Sequence, residues 1–318
     1  MSGPLILAIP SKGRLKEQVD AWLADAGLPL SAPSGGRGYT ARIAALPSVE
    51  VRLLSASDIA AALDSGEVHL GVTGEDLLRE QIADLDNRVA LLRALGFGRA
   101  DLIVAVPRGW LDVDTMADLE EVAHLHLVRT GRRLRVATKY IAQTRAFFTK
   151  NGVADYRIVE SGGATEGAPA SGAAEIIVDI TTTGATLAAN HLKILGDGVI
   201  LKSQARLAAS LTAEWDAGRL AVVRQLLGVV EARARARGSV MLVWPAEQDA
   251  GARAALAGLV EAGARPRANG LLLREGDLLT AQAALASAGV GPVAATRPEH
   301  LFEPVSQAAE SLASRVTV

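Results

Sequence analysis

The feature that most narrows what this chain can become is the repeated exchange of short aliphatic runs with longer stretches of helical period. Residues 5–9 form a continuous apolar run, and residues 13–26 then carry Leu15, Val19, Leu23 and Ala26 at helical spacing, closed by Gly27. An uninterrupted apolar run predicts a strand buried on both faces, and the spaced set predicts the crossover helix that joins it to a parallel neighbour. Strands at 51–54, 69–72 and 102–106, with helices at 58–63 and 75–83, repeat the exchange. The fold class is therefore α/β.

A second set of elements is predicted beyond Pro107 and Gly109: 125–129, 135–137, a helix over 140–150, 157–160 and 176–179. A helix from about Thr186 and strands at 193–195 and 199–201 follow. A long helix is expected over 212–237, with Leu220, Val223, Leu226, Leu227 and Val230 along one face. Its basic end, EARARARG, reads as a solvated last turn that complements the helix dipole, not as a nucleic-acid arm. Beyond Gly238, strands at 240–243, 271–274 and 292–295 alternate with helices at 248–262 and 277–288, before a helical stretch at 305–315. This β-α-β-α-β run predicts a small α+β domain of ferredoxin-like type.

Composition removes several function classes. The 318 residues exceed one ordinary core, so two or three domains are expected. Thirty-three basic against 35 acidic side chains leave a net charge of -2, too balanced for a general nucleic-acid or membrane-surface binder. With no cysteine, disulfides, thiolate metal sites and a thiol nucleophile are excluded. The N-terminus does not read as a secretory signal and no apolar run is long enough for a membrane span, so a cytoplasmic protein is expected.

The richest chemistry lies in EIIVDITTTGATL, residues 175–187. An apolar strand delivers Asp179, and Thr182, Thr183, Gly184, Ala185 and Thr186 then supply hydroxyls and approachable backbone N–H groups where a helix begins. Such a bend holds a phosphate, and the acid upstream suits sugar hydroxyls or a magnesium ion carried by the same ligand. The same threonines and glycine can also simply cap a helix. At the end of the first strand Lys12 and Arg14 flank Gly13, where ligands bind in open α/β sheets. Arg52 with Ser55 and Asp58, the loop GVTGED ending in Asp76, and GGATE ending in Glu166 occupy comparable positions after strands. His124 and His126 have HxH spacing, which on a strand aims both rings to one face, but no third zinc ligand is evident nearby. HExxH, GxSxG and a GxGxxG after the first strand are all missing.

Taken in order, IPSKGRL (9–15), RLLSASDI (52–59), LGVTGEDLL (70–78), LGFGRADLIVAVP (95–107), RVATKY (135–140), GGATEGAP (162–169), EIIVDITTTGATL (175–187) and SQARLAAS (203–210) resemble the ATP phosphoribosyltransferases. The resemblance implies two domains of the periplasmic-binding-protein type II, hinged about a cleft. Residues 1–100 and 196–237 would form the first, and 101–195 the second, with the phosphoribosyl pyrophosphate loop. It also implies transfer of phosphoribosyl to N1 of ATP adenine, with Mg2+, in the first step of histidine biosynthesis. Asp179 and residues 182–186 match the family's ribose and phosphate positions, Lys12 and Arg14 its basic loop, and Arg52, Asp76 and Glu166 other cleft positions.

GATE stands where the family has GSVE, and GAAE where it has GLAD; both keep the carboxylate. Residues 238–318 lack the family's usual regulatory sequence, yet the length suits the long form. There a C-terminal domain binds L-histidine as effector and the enzyme assembles as a homo-oligomer, a dimer or hexamer. Two other classes compete: a bilobal solute-binding protein, and a phosphoribosyltransferase acting on another base.

Overall fold

The computed structural model describes residues 3–31 and 39–317. The chain starts with β1 (Leu5–Pro10), α1 (Gly13–Asp25), β2 (Leu30–Ser31), β3 (Thr40–Ile43) and β4 (Val49–Leu54). It continues through α2 (Ala56–Ser65), β5 (Leu70–Gly74), α3 (Glu75–Gln81), α4 (Leu85–Arg88) and β6 (Val89–Ala94). Next come β7 (Ala100–Pro107), α5 (Met116–Thr130), β8 (Leu134–Thr138), α6 (Ile141–Lys150), β9 (Tyr156–Glu160), β10 (Ile176–Thr181), α7 (Ala185–Ala189) and β11 (Leu192–Ser203). After β12 (Ala205–Ser210) and α8 (Ala217–Ala236), the last part runs β13 (Ser239–Val243), α9 (Asp249–Ala255), α10 (Ala257–Glu261), β14 (Arg265–Arg267) and β15 (Gly270–Arg274). It ends in α11 (Leu278–Ser287), β16 (Ala294–Thr296) and α12 (Gln307–Ala313).

The first two sheets repeat one plan. In the first, β4, β1 and β5 lie parallel in that order, and β12 then β6 complete the edge antiparallel. In the second, β9, β8 and β10 lie parallel, and β7 then β11 complete it antiparallel. Each sheet thus takes its fourth strand from the chain as it arrives from the other: β7 enters after β6, and β12 returns after β11. This is the expected two-sheet α/β core of type II periplasmic-binding-protein form. Helices cover both faces of each sheet, so β1 and β10 are aliphatic throughout their buried stretch.

The third sheet has the order β14-β15-β13-β16, antiparallel throughout. The unit is β-α-β-β-α-β, the split form of a ferredoxin-like domain, with one strand more than the sequence predicts. That strand, Arg-Pro-Arg, is fully exposed and carries no apolar pattern to betray it. α12 packs away from this sheet: Ala309 and Leu312 sit in the first core beside Leu226 and Val230.

Several local readings change. Residues 125–129 lie inside α5, which starts in a capping box between Thr115 and Asp118. On a helix, residues two apart point to different faces, so the HxH pair diverges; His124 Nδ1 instead meets Asp155 Oδ2 at 3.0 Å. The two strands expected at 193–195 and 199–201 are one strand, β11, whose register shifts at Ile194/Val199 and Val199/Leu201 mark a bulge rather than a break. The basic end of α8 is not a free solvated turn. Arg233 and Arg237 both donate to the Asp25 carboxylate, at 2.7 Å each through Nη2, tying the ends of α1 and α8 together. The Arg233 bond, with Arg237 added, outweighs burial and holds the Asp25 carboxyl well below the usual range. Among the described residues no helix is long and apolar enough to cross a membrane.

Candidate active site

β10 lies between β8 and β7, and its Ile176, Ile177 and Val178 are fully buried. The chain emerges at Asp179, whose Oδ1 accepts from the backbone N–H of Ile180 at 2.8 Å. The bend that follows is closed by its own hydroxyls: Thr181 Oγ1 accepts from Gly184 N at 2.9 Å, and Thr183 Oγ1 from Ala185 N at 3.4 Å. Gly184 precedes α7 at φ +73°, a left-handed conformation that glycine adopts without penalty. Leu187, buried among Ile103, Ile177 and Leu192, anchors α7 to the sheet.

A second loop completes the site. Thr165 is buried and donates to Ser161 Oγ at 3.1 Å, which presents the adjoining Glu166 toward the bend. Glu166, Asp179, Thr182, Thr183, Ala185 and Thr186 line one cavity of about 280 Å3. The structure therefore brings together the acid, hydroxyl and loop positions that the sequence singles out after β9 and β10. Two carboxylates opposite a hydroxyl-rich bend suit a polyol that also carries a phosphate.

A larger cavity of about 500 Å3 shares Thr181 and Thr182 and is lined by Arg99, Asp101, Lys202, Ser203 and Gln204. These residues sit where the chain passes between the sheets. Gln204 Oε1 accepts from Gly96 N at 3.0 Å, and Thr182 Oγ1 donates to the Arg99 carbonyl at 3.3 Å, so both passages and the bend are stitched together. Sequence reasoning did not single out Arg99, Asp101, Lys202 or Gln204. Arg99, Asp101 and Gln204 lie within motifs it quoted, but only a strand order that joins the two passages shows that they face one space.

Lys12 and Arg14 are exposed at the start of α1 and do not line either cavity. It is their neighbour Leu15 that reaches the first passage: a Cβ at Gly98 would lie 3.1 Å from Leu15 Cδ1 and 3.2 Å from Ala205 Cβ. Arg52 lies mid-strand in β4, its guanidinium on Glu50 at 2.8 Å and Glu67 at 3.2 Å. Ser55 caps α2 by accepting from Asp58 N at 3.1 Å.

Asp76, the remaining candidate, is buried and its carboxylate is fully engaged. Oδ1 accepts from Ser203 Oγ at 2.7 Å and Oδ2 from the Tyr140 hydroxyl at 2.9 Å. Burial and the adjoining Asp76 charge push the Tyr140 hydroxyl far above its ordinary range, so it stays a donor. Next to it Glu75, also buried, accepts from Arg79 and Arg206 at 2.9 and 2.7 Å. Burial raises the Glu75 carboxyl, but the two guanidinium groups prevail and hold it below the ordinary value. Of this acidic pair at the head of α3, Asp76 joins the first sheet to the second through Tyr140 and Ser203, whereas Glu75 stays within the first.

Comparison with known proteins agrees with this architecture. The family model for ATP phosphoribosyltransferase matches residues 55–230, more than half of the chain. An ATP phosphoribosyltransferase from Caulobacter vibrioides (strain NA1000 / CB15N) is 66% identical over 320 aligned positions, 99% of this chain and all of that one. One from Bradyrhizobium sp. (strain ORS 278) is 60% identical over 236 positions, 74% of this chain and 73% of that one. Among solved structures, the ATP phosphoribosyl transferase (HisG:HisZ) complex from Thermotoga maritima superposes with a TM-score of 0.53 at 24% identity, covering 71% of this chain and 96% of that one, a likeness of fold. With the acid, threonine bend and paired sheets in place and the identity sustained over the whole length, the chain belongs to the ATP phosphoribosyltransferase family.

Proposed function

We propose that the threonine bend holds the phosphoribosyl half of phosphoribosyl pyrophosphate while the adjoining cavity takes ATP. The observation that carries this is the convergence of Asp179, Glu166 and three exposed threonines on one cavity that opens beside a second, larger one. Thr182, Thr183 and Thr186, with the backbone of Gly184 and Ala185, would grip the 5-phosphate, and Asp179 the ribose hydroxyls. Glu166 closes the other side of the sugar. The adenine N1 lone pair forms the new bond to C1 as the C1–O bond breaks, and pyrophosphate leaves with that electron pair. No base is needed, because N1 carries no proton to remove. What the protein supplies is orientation of two bound reactants and donors for the departing charge. Arg99 and Lys202 are the cations that line that space, and Lys12 and Arg14 stand on the same stretch as Leu15, which reaches Gly98.

The family generally uses a divalent metal ion. Among the described residues no cluster of three or more side chains could cage one. Two carboxylates on a phosphate-binding cavity do fit magnesium, which binds through one or two carboxylates plus substrate phosphates. Asp179 and Glu166 would hold it, and its chemistry there would be to offset pyrophosphate charge. The C-terminal β-α-β-β-α-β unit supports L-histidine as effector, and we read the chain as a cytoplasmic homo-oligomer divided nearly as the sequence predicts, save that β11 keeps residues 196–203 with the second sheet and α12 reaches back to the first core. Incubation with ATP, phosphoribosyl pyrophosphate and magnesium, with free adenine as control base, tests the reaction. Phosphoribosyl-ATP is expected from ATP alone, and its failure to form would reject the reading. Loss of turnover as L-histidine is titrated in tests the effector; an unchanged rate at millimolar histidine would remove it.

A further inference from the structure

We infer that the seam between the C-terminal sheet and α8 is a separate binding site for a nucleoside monophosphate. A cavity of about 370 Å3 opens there, the size of a small-ligand pocket, far from the threonine bend in sequence and built from other elements. Its lining includes Arg235, Arg265, Arg267 and Arg274 against Asp277 and Glu303, so it is positive in a chain whose net charge is -2.

The arginines are not equivalent. Arg265 pairs with Glu303 at 3.1 Å, Arg274 with Asp277 at 3.0 Å, and Arg235 pairs with Glu231 at 3.6 Å while donating to the Leu301 carbonyl at 2.9 Å. Arg267 has only the neighbouring Pro266 carbonyl, at 3.0 Å, and among the described residues no carboxylate lies within ion-pair distance of it. Arg265 and Arg267 stand two apart on the exposed edge strand β14, hence on one face. A guanidinium without a carboxylate beside further guanidinium groups matches a phosphate, which it binds through two parallel N–H bonds.

The lining also supplies a platform for a ring. His300 and Phe302 stack with centroids 5.7 Å apart and planes within 15°, and Phe302 remains 66% exposed. The segment that carries them is fixed: Arg235 holds Leu301, Arg233 donates to the Glu299 carbonyl at 3.0 Å, and His300 Nε2 meets the Ala26 carbonyl at 3.2 Å. An exposed phenylalanine held rigidly beside cations stacks a planar base at little entropic cost. Phosphate on Arg267 and base on Phe302 together describe a nucleoside monophosphate. The site stands independently of the roles given to the threonine bend.

Isothermal calorimetry with AMP on the full chain and on Arg267→Gln and Phe302→Ala variants tests it. The expected result is a binding event weakened tenfold or more by Arg267→Gln and fivefold or more by Phe302→Ala. Both variants should turn over ATP and phosphoribosyl pyrophosphate at the parent rate, which shows them folded. Weakening in only one variant overturns the nucleotide assignment, and no binding, or binding equal in all three forms, overturns the site.

Discussion

The Tyr140 hydroxyl donates to Oδ2 of Asp76 at 2.9 Å, a buried bond between an element of the second sheet's layer and the head of α3 in the first. Ser203, the last residue before the chain returns, occupies the other oxygen at 2.7 Å. Removing the hydroxyl leaves a buried carboxylate oxygen unsatisfied, which costs about 1.5–3 kcal/mol for a charged acceptor. Tyr140→Phe should lower the urea midpoint accordingly and alter kcat more than KM. An unchanged midpoint would show that water replaces the hydroxyl.

Substitutions at the threonine bend should separate the two substrates. Asp179→Ala and Thr186→Val are expected to raise KM for phosphoribosyl pyrophosphate at least tenfold with KM for ATP little changed. Initial rates with each substrate varied in turn check this, and normal kinetics in Asp179→Ala would remove that residue from the site. Asp277→Ala, in the C-terminal unit, should leave turnover near the parent value.

Gly184 tests the bend itself. A Cβ there would meet nothing within 4 Å, so only the backbone at φ +73° resists it. Gly184→Ala is expected to cost about 1–2 kcal/mol locally and to weaken phosphoribosyl pyrophosphate binding without unfolding the chain. Equal affinity in calorimetry would mean that the bend tolerates another shape.

His69 predicts an acid-side loss of stability. Its Nδ1 accepts from Ile6 N at 3.1 Å and its Nε2 donates to the Glu214 carbonyl at 3.1 Å, an arrangement only the neutral ring can make. Burial is the main cause that lowers its pKa from 6.5. The unfolded chain therefore takes up a proton before the folded one does. The contribution is complete above about pH 6.5 and declines as pH falls through the lowered folded value. Unfolding free energies between pH 7 and 5 should drop in the parent and stay flatter in His69→Gln; parallel curves would remove His69 as the cause.

Leu312 is fully buried in the first core although it belongs to the last helix. Leu312→Ala is expected to cost about 2–5 kcal/mol, as for other buried leucines, and to lower the melting temperature of catalytic turnover itself. Loss confined to the C-terminal unit would contradict the packing.

What was legible in the sequence followed the reach of each signal. Buried parallel strands such as β1 and β10 announce themselves because both faces are covered, and the acid and threonines after β10 are neighbours in sequence. β14 is invisible because an exposed three-residue edge strand needs no apolar pattern, and within α5 the alternation Leu125, His126, Leu127 imitates a strand although the Thr115–Asp118 capping box starts a helix upstream. The engagement of Asp76 and Asp25 was equally out of reach. Each is settled by a partner far along the chain or across a sheet, which residue spacing does not encode.

The exchange of fourth strands between the two sheets constrains how the polypeptide can mature. Among the described residues β6 pairs in its sheet only with β12, which begins more than a hundred positions later at Ala205. A nascent chain leaving the ribosome must therefore hold its first lobe open at that edge until the second has been made. Early release, or any split that parts β6 from β12, leaves an unpaired apolar border ready to aggregate.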